Sequence, residues 1–228
     1  MLLAYYAVAK PLATYLALRF GAVAQGVENI PRSGPIIAVG NHQKEFDGIL
    51  VLWGIRRRTR TIVKSDNENP LALFLLSFLA DMFTINRNSS DYGALRKARK
   101  VLRRGGAICM FPSAHRTIKV GGFHPGVVGL ARSTEGVQIV PFGITHAEGL
   151  GVGTVVRNLH RGAQAENKPT IRFGEPFQLA PLPPAEARRQ RDADLDFIRG
   201  RVLDLLPAEL EGENTRYTIE RSTVRAKG

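Results

Sequence analysis

The chain is poor in cysteine and in acidic residues, and its apolar N-terminal stretch is too broken to span a membrane. One cysteine in 228 residues excludes a disulfide framework and a cysteine-rich zinc site. A spanning helix needs about 20 mostly apolar residues, but Lys10, Pro11 and Arg19 interrupt residues 1–26. The 20 acidic residues face 32 Lys and Arg, which leaves a formal net charge of +12. This excess predicts attraction to nucleic acid, to an anionic membrane surface or to phosphorylated substrates.

Residues 1–26 form an apolar segment whose composition suits a membrane interface. We expect one or two short helices there, with Lys10 and Arg19 extending toward lipid headgroups and tyrosines at the boundary: Tyr5, Tyr6 and Tyr15. The alternative is a terminal helix that packs on the domain.

Short apolar runs alternate with helical patterns through the middle of the chain. Strands are predicted at 36–39, 61–63, 83–85, 107–111, 138–144 and 170–173, and helices at 49–52, 71–79, 92–102, 127–132 and 184–206. This alternation predicts an α/β fold with a single mixed, largely parallel sheet flanked by helices. We expect an apolar N-terminal segment at 1–26, an α/β domain at 27–206 and a polar basic tail at 207–228.

The segment GNHQKEFDG at residues 40–48 contains a histidine and an aspartate after a predicted buried strand. A turn at the strand end can bring His42 and Asp47 together. Asp47 would then accept a hydrogen bond from one imidazole nitrogen, and the other nitrogen would be free to take a proton from a hydroxyl group. A His-Asp spacing alone is a weak signal for catalysis.

Three cations stand at the ends of three predicted strands, namely Lys64, Arg87 and Arg116. Ligands of α/β sheets bind in crevices at strand ends, and arginine suits bidentate phosphate binding. The alternative is that these side chains are solvated at the surface, as most Lys and Arg are.

These motifs, in this order, resemble the glycerolipid acyltransferases typified by 1-acyl-glycerol-3-phosphate acyltransferase. The first family motif is His, four residues, Asp, and residues 42–47 match it. The second ends in Arg, which matches FTINR at 83–87, and Lys64 resembles an upstream family lysine. The third, Phe-Pro-Glu-Gly-Thr-Arg-Ser, reads FPSAHRT at 111–117, and the fourth matches Val140-Pro141.

The third motif departs from the family pattern. Its glutamate, glycine and threonine are replaced by Ser113, Ala114 and His115. The loss of a carboxylate makes the expected acceptor site more basic, although serine can still form hydrogen bonds. The resemblance therefore predicts acyl transfer more firmly than it predicts the acceptor.

The resemblance implies an O-acyltransferase that moves a fatty acyl group from acyl-CoA or acyl carrier protein to a lysophospholipid hydroxyl, with 1-acyl-glycerol-3-phosphate as the expected acceptor. It implies His42 and Asp47 as catalytic residues, with the substrate held by Lys64, Arg87, Ser113, His115 and Arg116. No metal or cofactor is expected. The expected location is the cytoplasmic face of the cell membrane, peripheral or monotopic on an anionic surface.

Two alternatives remain open within the family. One is an acyltransferase with a different acceptor, and the other is a non-catalytic lipid-binding member. A nucleic-acid partner is not expected, because the chain carries no recognised binding motif and its aromatic content is 7%.

Overall fold

A computed structural model of the chain describes residues 5–44, 47–65, 83–86, 92–113, 119–147 and 168–212. The predicted helix at 71–79 lies outside these ranges, as do Arg87, His115 and Arg116. The backbone of Lys64 is described, but its side chain is not.

A seven-stranded sheet forms the centre of the fold. Its strands are β1 (Val23–Gln25), β2 (Ile36–Gly40), β3 (Thr59–Ser65), β4 (Phe83–Asn86), β5 (Ala107–Met110), β6 (Gln138–Thr145) and β7 (Thr170–Phe173). Their spatial order is β1-β7-β6-β2-β5-β3-β4. All neighbouring pairs are parallel except β6 and β7, which are antiparallel. The prediction of a mixed, largely parallel sheet is confirmed.

Helices cover both faces of the sheet. They are α1 (Lys10–Arg19), which follows a π-helical turn (Tyr5–Ala9), α2 (Asp47–Gly54), α3 (Tyr92–Leu102), α4 (Gly126–Arg132) and α5 (Pro184–Leu203). Short 3-10 helices occur at Val27–Asn29 and Ala208–Leu210.

Hydrophobic core residues cover both faces of the sheet. Ile36 and Ala38 of β2 point into the core beneath α1 and α2. Ile37 and Val39 point into the core beneath α3, α4 and α5. A strand buried on both faces needs apolar residues at every position, which is why β2 reads as a continuous apolar run.

The N-terminal segment packs on the domain through one face. Tyr5 is fully buried, and Lys10 donates hydrogen bonds to the carbonyls of Leu52 at 2.5 Å, Trp53 at 3.1 Å and Ile55 at 2.6 Å. The expectation that Lys10 extends toward lipid headgroups and that Tyr5 lies at the membrane boundary is therefore wrong. The physical reason is that the carbonyls at the end of α2 lack donors within the helix, and the ammonium of Lys10 donates the missing hydrogen bonds.

The opposite face of this segment is exposed and apolar. Its large side chains are between 44% and 63% exposed: Tyr6, Val8, Leu12, Tyr15 and Leu18. Residues 23–25, placed by sequence in the same segment, instead form the edge strand β1. Within the described ranges, no helix has the length and apolar character needed to cross a bilayer.

The described part of the predicted tail, residues 207–212, is bound to the domain. The amide of Val120 donates to Leu210 at 2.7 Å, and Gly212 donates back to Val120 at 3.0 Å. The Arg199 guanidinium also donates to the carbonyls of Val120 and Gly212. These bonds hold residues 207–212 beside the last helix.

Candidate active site

The candidate site begins where β2 ends. Gly40 is the last residue of β2, and a Cβ atom there would overlap the ring of Phe142 on the neighbouring strand β6. Glycine at this position lets β2 and the Phe142 ring approach closely. The chain then continues through Asn41 to His42 at the carboxyl edge of the parallel strands, where α/β sheets bind their ligands.

His42 and Asp47 form a hydrogen-bonded pair at this edge. The distance from His42 Nδ1 to Asp47 Oδ2 is 2.8 Å, the Asp47 side chain is fully buried, and the His42 side chain is 24% exposed. The same carboxylate oxygen accepts hydrogen bonds from the backbone amides of Gln43 at 2.5 Å and Lys44 at 2.9 Å. Asp47 is also the first residue of α2, where the helix dipole favours a negative charge.

This geometry fixes the chemistry of the imidazole. An ionised carboxylate only accepts hydrogen bonds, so Nδ1 must carry the proton. Nε2 is then the unprotonated nitrogen, with a lone pair available to an incoming hydroxyl. The pair can therefore act as a general base whose ring orientation is set by a buried carboxylate.

Two further residues hold His42 in place. The Phe111 ring stacks on the imidazole with a centroid distance of 4.4 Å and an interplanar angle of 26°. The Asn41 side chain is buried, donates to the carbonyl of Ile144 at 2.8 Å and accepts from its amide at 2.7 Å. His42 is thus fixed from β5 through Phe111 and from β6 through Asn41.

The sequence profile of the family described as Acyltransferase matches residues 22–145 of this chain. This span is more than half of the sequence and includes the His-Asp pair. The chain belongs to the acyltransferase family.

A solved structure supports the fold of this acyltransferase-family chain. The 1-acyl-sn-glycerophosphate (LPA) acyltransferase PlsC from Thermotoga maritima superposes with a TM-score of 0.60 at 22% sequence identity. The match covers 88% of this chain and 80% of that one. A search of curated proteins returned no significant match.

The other predicted site residues of the acyltransferase are placed only in part. Lys64 is the penultimate residue of β3, which is separated from β2 by β5. Ser113 follows the end of β5 by three residues and forms a β-bridge with Phe123. Since β2, β3 and β5 are parallel, the backbones of Lys64 and Ser113 lie near the carboxyl-terminal ends of the strands, as His42 does.

Sequence reasoning missed the supporting residues of this site. Asn41 and Phe111 were visible only as neighbours of the first and third motifs, and their roles depend on which strands adjoin.

Three buried polar atoms of Gln43 and Asp47 have no hydrogen-bond partner in the part of the chain that the structure describes, namely Gln43 Oε1, Gln43 Nε2 and Asp47 Oδ1. Unpaired buried polar groups are rare in folded proteins.

Neither a cluster of potential metal ligands nor an accessible thiol occurs among the described residues. No group of three or more His, Cys, Asp or Glu side chains there is arranged to hold a metal ion. Cys109 is fully buried in β5, and this burial raises the pKa of its thiol well above the usual range. A protonated, inaccessible thiol is a poor nucleophile.

Proposed function

We propose that this chain is an O-acyltransferase that moves a fatty acyl group from a thioester to the hydroxyl of a lysophospholipid in phospholipid biosynthesis. The donor is acyl-CoA or acyl carrier protein, and the acceptor is 1-acyl-glycerol-3-phosphate. The hydrogen-bonded pair of His42 and Asp47 carries the proposal, together with membership of the acyltransferase family. The activity of the similar Thermotoga maritima protein, a 1-acyl-sn-glycerophosphate acyltransferase, supports this choice of acceptor.

The proposed reaction proceeds in one ternary complex. Nε2 of His42 takes the proton of the acceptor hydroxyl as its oxygen attacks the thioester carbonyl carbon. The carbon–sulfur bond then breaks, and the departing thiolate takes the proton back from the imidazolium. Asp47 stabilises the imidazolium between these two transfers, and general-base assistance of this kind contributes about 10²–10⁴-fold to the rate.

The acceptor phosphate requires cations near this pair. We assign its binding to Lys64, Arg87 and Arg116, with Ser113 and His115 in place of the family's glutamate and threonine. The described backbone supports this for Lys64 and Ser113, which share the edge of the sheet with His42. Arginine presents a planar fork to phosphate oxygens, and lysine adds a point charge.

We further propose that the enzyme works as a peripheral or monotopic protein on an anionic membrane, at its cytoplasmic face. The exposed apolar side chains of α1 support this location, because a helix face that is apolar but not covered by the domain is suited to a membrane interface. The domain covers one face through Ala13 and Ala17, whereas Leu12, Tyr15 and Leu18 are exposed. The net charge of +12 adds electrostatic attraction to acidic lipids.

The test is thiol release from a long-chain acyl-CoA, or from acyl carrier protein, with a panel of lysolipid acceptors. His42→Ala should lower turnover by at least about 10²-fold without unfolding the chain. His146 is the matched control: it is exposed, follows β6 at the same sheet edge, and has a positive φ of 57°, which asparagine tolerates. His146→Asn should leave turnover unchanged.

Each outcome of the assay has a distinct meaning. Thiol release that depends on lysophosphatidic acid and on His42 would establish the proposed reaction. Release with another lysolipid only would correct the acceptor, as the altered third motif at Ser113 allows. No release with any donor and acceptor, from folded protein, would favour the non-catalytic lipid-binding alternative. If His146→Asn lost activity while His42→Ala kept it, the general base would be His146 and not His42.

A further inference from the structure

A cavity lies at the amino-terminal ends of the parallel strands, opposite to the catalytic pair. Its volume is about 470 Å³, and its walls include Ile30, Arg32, Arg56 and Arg57. These residues precede the first residues of β2 and β3, whereas His42 follows the last residue of β2. The five residues of β2 span about 16 Å at roughly 3.3 Å per residue, so the cavity is separate from the proposed active site.

The cavity is lined with cations that are available to a ligand. Three arginines against the single carboxylate of Glu28 leave a local charge of +2. Arg32 and Arg56 are exposed and make no hydrogen bond or ion pair with other described residues. A group of unpaired arginines at a concave surface is suited to phosphate oxygens, which accept several N–H bonds at once.

Arg57 forms a rigid part of the same wall. Its guanidinium donates to the carbonyls of Pro31 at 3.1 Å and Gly105 at 2.6 Å. A guanidinium has five N–H donors, so these two bonds fix its position and leave donors for a ligand. A preorganised cation loses little conformational entropy when it binds.

The loop that lines the cavity packs against the buried face of the N-terminal segment. Lys10 is bound to the carbonyls of residues 52–55, directly before Arg56. The Tyr5 hydroxyl accepts from the amide of Thr59 at 3.2 Å and donates to the carbonyl of Arg57 at 3.4 Å. The start of the apolar segment therefore packs against the loop that supplies two of the three arginines.

We propose that this cavity binds the phosphate of an anionic phospholipid headgroup while the exposed face of α1 enters the apolar layer of the same membrane. The site would orient the protein on the bilayer without taking part in acyl transfer. The cationic concave site lies beside a segment whose other face is exposed and apolar, and these two features match the two parts of such a lipid. The proposal rests on the proposed membrane association and not on the acyltransferase reaction.

The test measures co-sedimentation with phosphatidylcholine vesicles that contain or lack phosphatidylglycerol. The double variant Arg32→Gln with Arg56→Gln removes two exposed cations from the cavity and leaves the structural Arg57 intact. The matched control, Arg188→Gln with Arg189→Gln, removes the same charge from exposed positions of α5 on the other face of the sheet.

The cavity variant should bind phosphatidylglycerol vesicles about 30-fold more weakly than the wild type, since each basic residue near an anionic surface contributes about fivefold. The control should change this binding by no more than about twofold, because its charges face away from the membrane. Neither variant should change binding to pure phosphatidylcholine. Leu18→Asp should instead weaken binding to both vesicle types.

Several results would overturn the proposal. Equal losses in the cavity variant and the α5 control would mean diffuse attraction without a site, and no loss in either would mean that the cavity binds no headgroup. Soluble glycerol 3-phosphate could compete with the vesicles for the wild-type protein but not for the variant Arg32→Gln with Arg56→Gln. That result would identify a free phosphate ester as the ligand of the cavity. Acyl transfer is measured on the same proteins with detergent-dispersed substrates, so vesicle binding without transfer contradicts only the proposed reaction.

Discussion

Replacement of Asp47 by asparagine separates the catalytic role of the carboxylate from its structural role. One oxygen of Asp47 accepts three hydrogen bonds, from His42 Nδ1 and from the amides of Gln43 and Lys44. An asparagine carbonyl in the same position can accept all three, so Asp47→Asn should change mainly the charge. Asp47→Ala removes the acceptor as well as the charge.

The two variants should differ clearly in stability. Asp47→Ala leaves two backbone donors unsatisfied at about 1–3 kcal/mol each, so we expect a loss of about 4 kcal/mol. At roughly 2–4 °C per kcal/mol for a chain of this length, the Tm falls by about 8–16 °C. Asp47→Asn replaces charge-assisted bonds by weaker neutral ones, for which we expect a loss of about 1 kcal/mol.

The two variants should agree in activity. Without the negative charge the imidazolium is no longer stabilised, and we expect both to lose about 10² or more in kcat/KM. Asp194→Asn is the matched control, because Asp194 is a buried carboxylate that binds Arg132 on the other face of the sheet. It should lower the Tm and leave kcat/KM unchanged.

Thermal unfolding and thiol-release kinetics on the same preparations test this reasoning. A folded Asp47→Asn protein with wild-type kcat/KM would refute the role of the carboxylate charge. A Tm for Asp47→Asn as low as that of Asp47→Ala would refute the argument that the oxygen position, rather than the charge, holds the backbone amides of Gln43 and Lys44.

Two further predictions concern Lys10 in the N-terminal segment and Ser113 after β5. Burial, reinforced by the positive charge of Arg56, lowers the pKa of Lys10 from 10.5 to about 8. Between these values the unfolded chain binds more protons, so the free energy of unfolding should rise with pH from about 8 to 10.5. Lys10→Met should lack this rise in denaturant melts, and an identical slope in both proteins would contradict the assignment. Ser113→Glu restores the family carboxylate and should shift acceptor preference toward lysophosphatidic acid; an unchanged ranking of kcat/KM among lysolipids would show that Ser113 does not select the acceptor.

Much of the sheet was predictable because its strands are buried on both faces. The runs at 36–39 and 107–111 are uniformly apolar, and the run at 138–144 is apolar after Gln138. All three are strands of the structure within one or two residues at each end. The short strand β1 was missed, since its three residues continue an apolar N-terminal stretch and give no period of their own. The antiparallel pairing of β6 with β7 was also invisible, because the runs themselves carry no direction.

The candidate site was likewise predictable only where its contacts are local in sequence. The contact between His42 and Asp47 follows from five residues of spacing at a strand end, a local relation that sequence can express. The stacking of Phe111 on His42 requires β5 to lie beside β2, and the bonds of Asn41 to Ile144 require β6 on the other side. No local pattern encodes those neighbours.

The sequence alone predicted the class of fold, the family and the pairing of His42 with Asp47, because periodicity and short motif spacing are local properties of the chain. Three features became visible only in the folded structure: the environment of Lys10, the covered and exposed faces of α1, and the proximity of Arg32 to Arg56 and Arg57 in one cavity. These contacts join residues up to 45 positions apart, and their partners are chosen by which elements pack together. The proposed catalytic pair can thus be recognised from local sequence, whereas the proposed orientation on a membrane is a property of the folded surface.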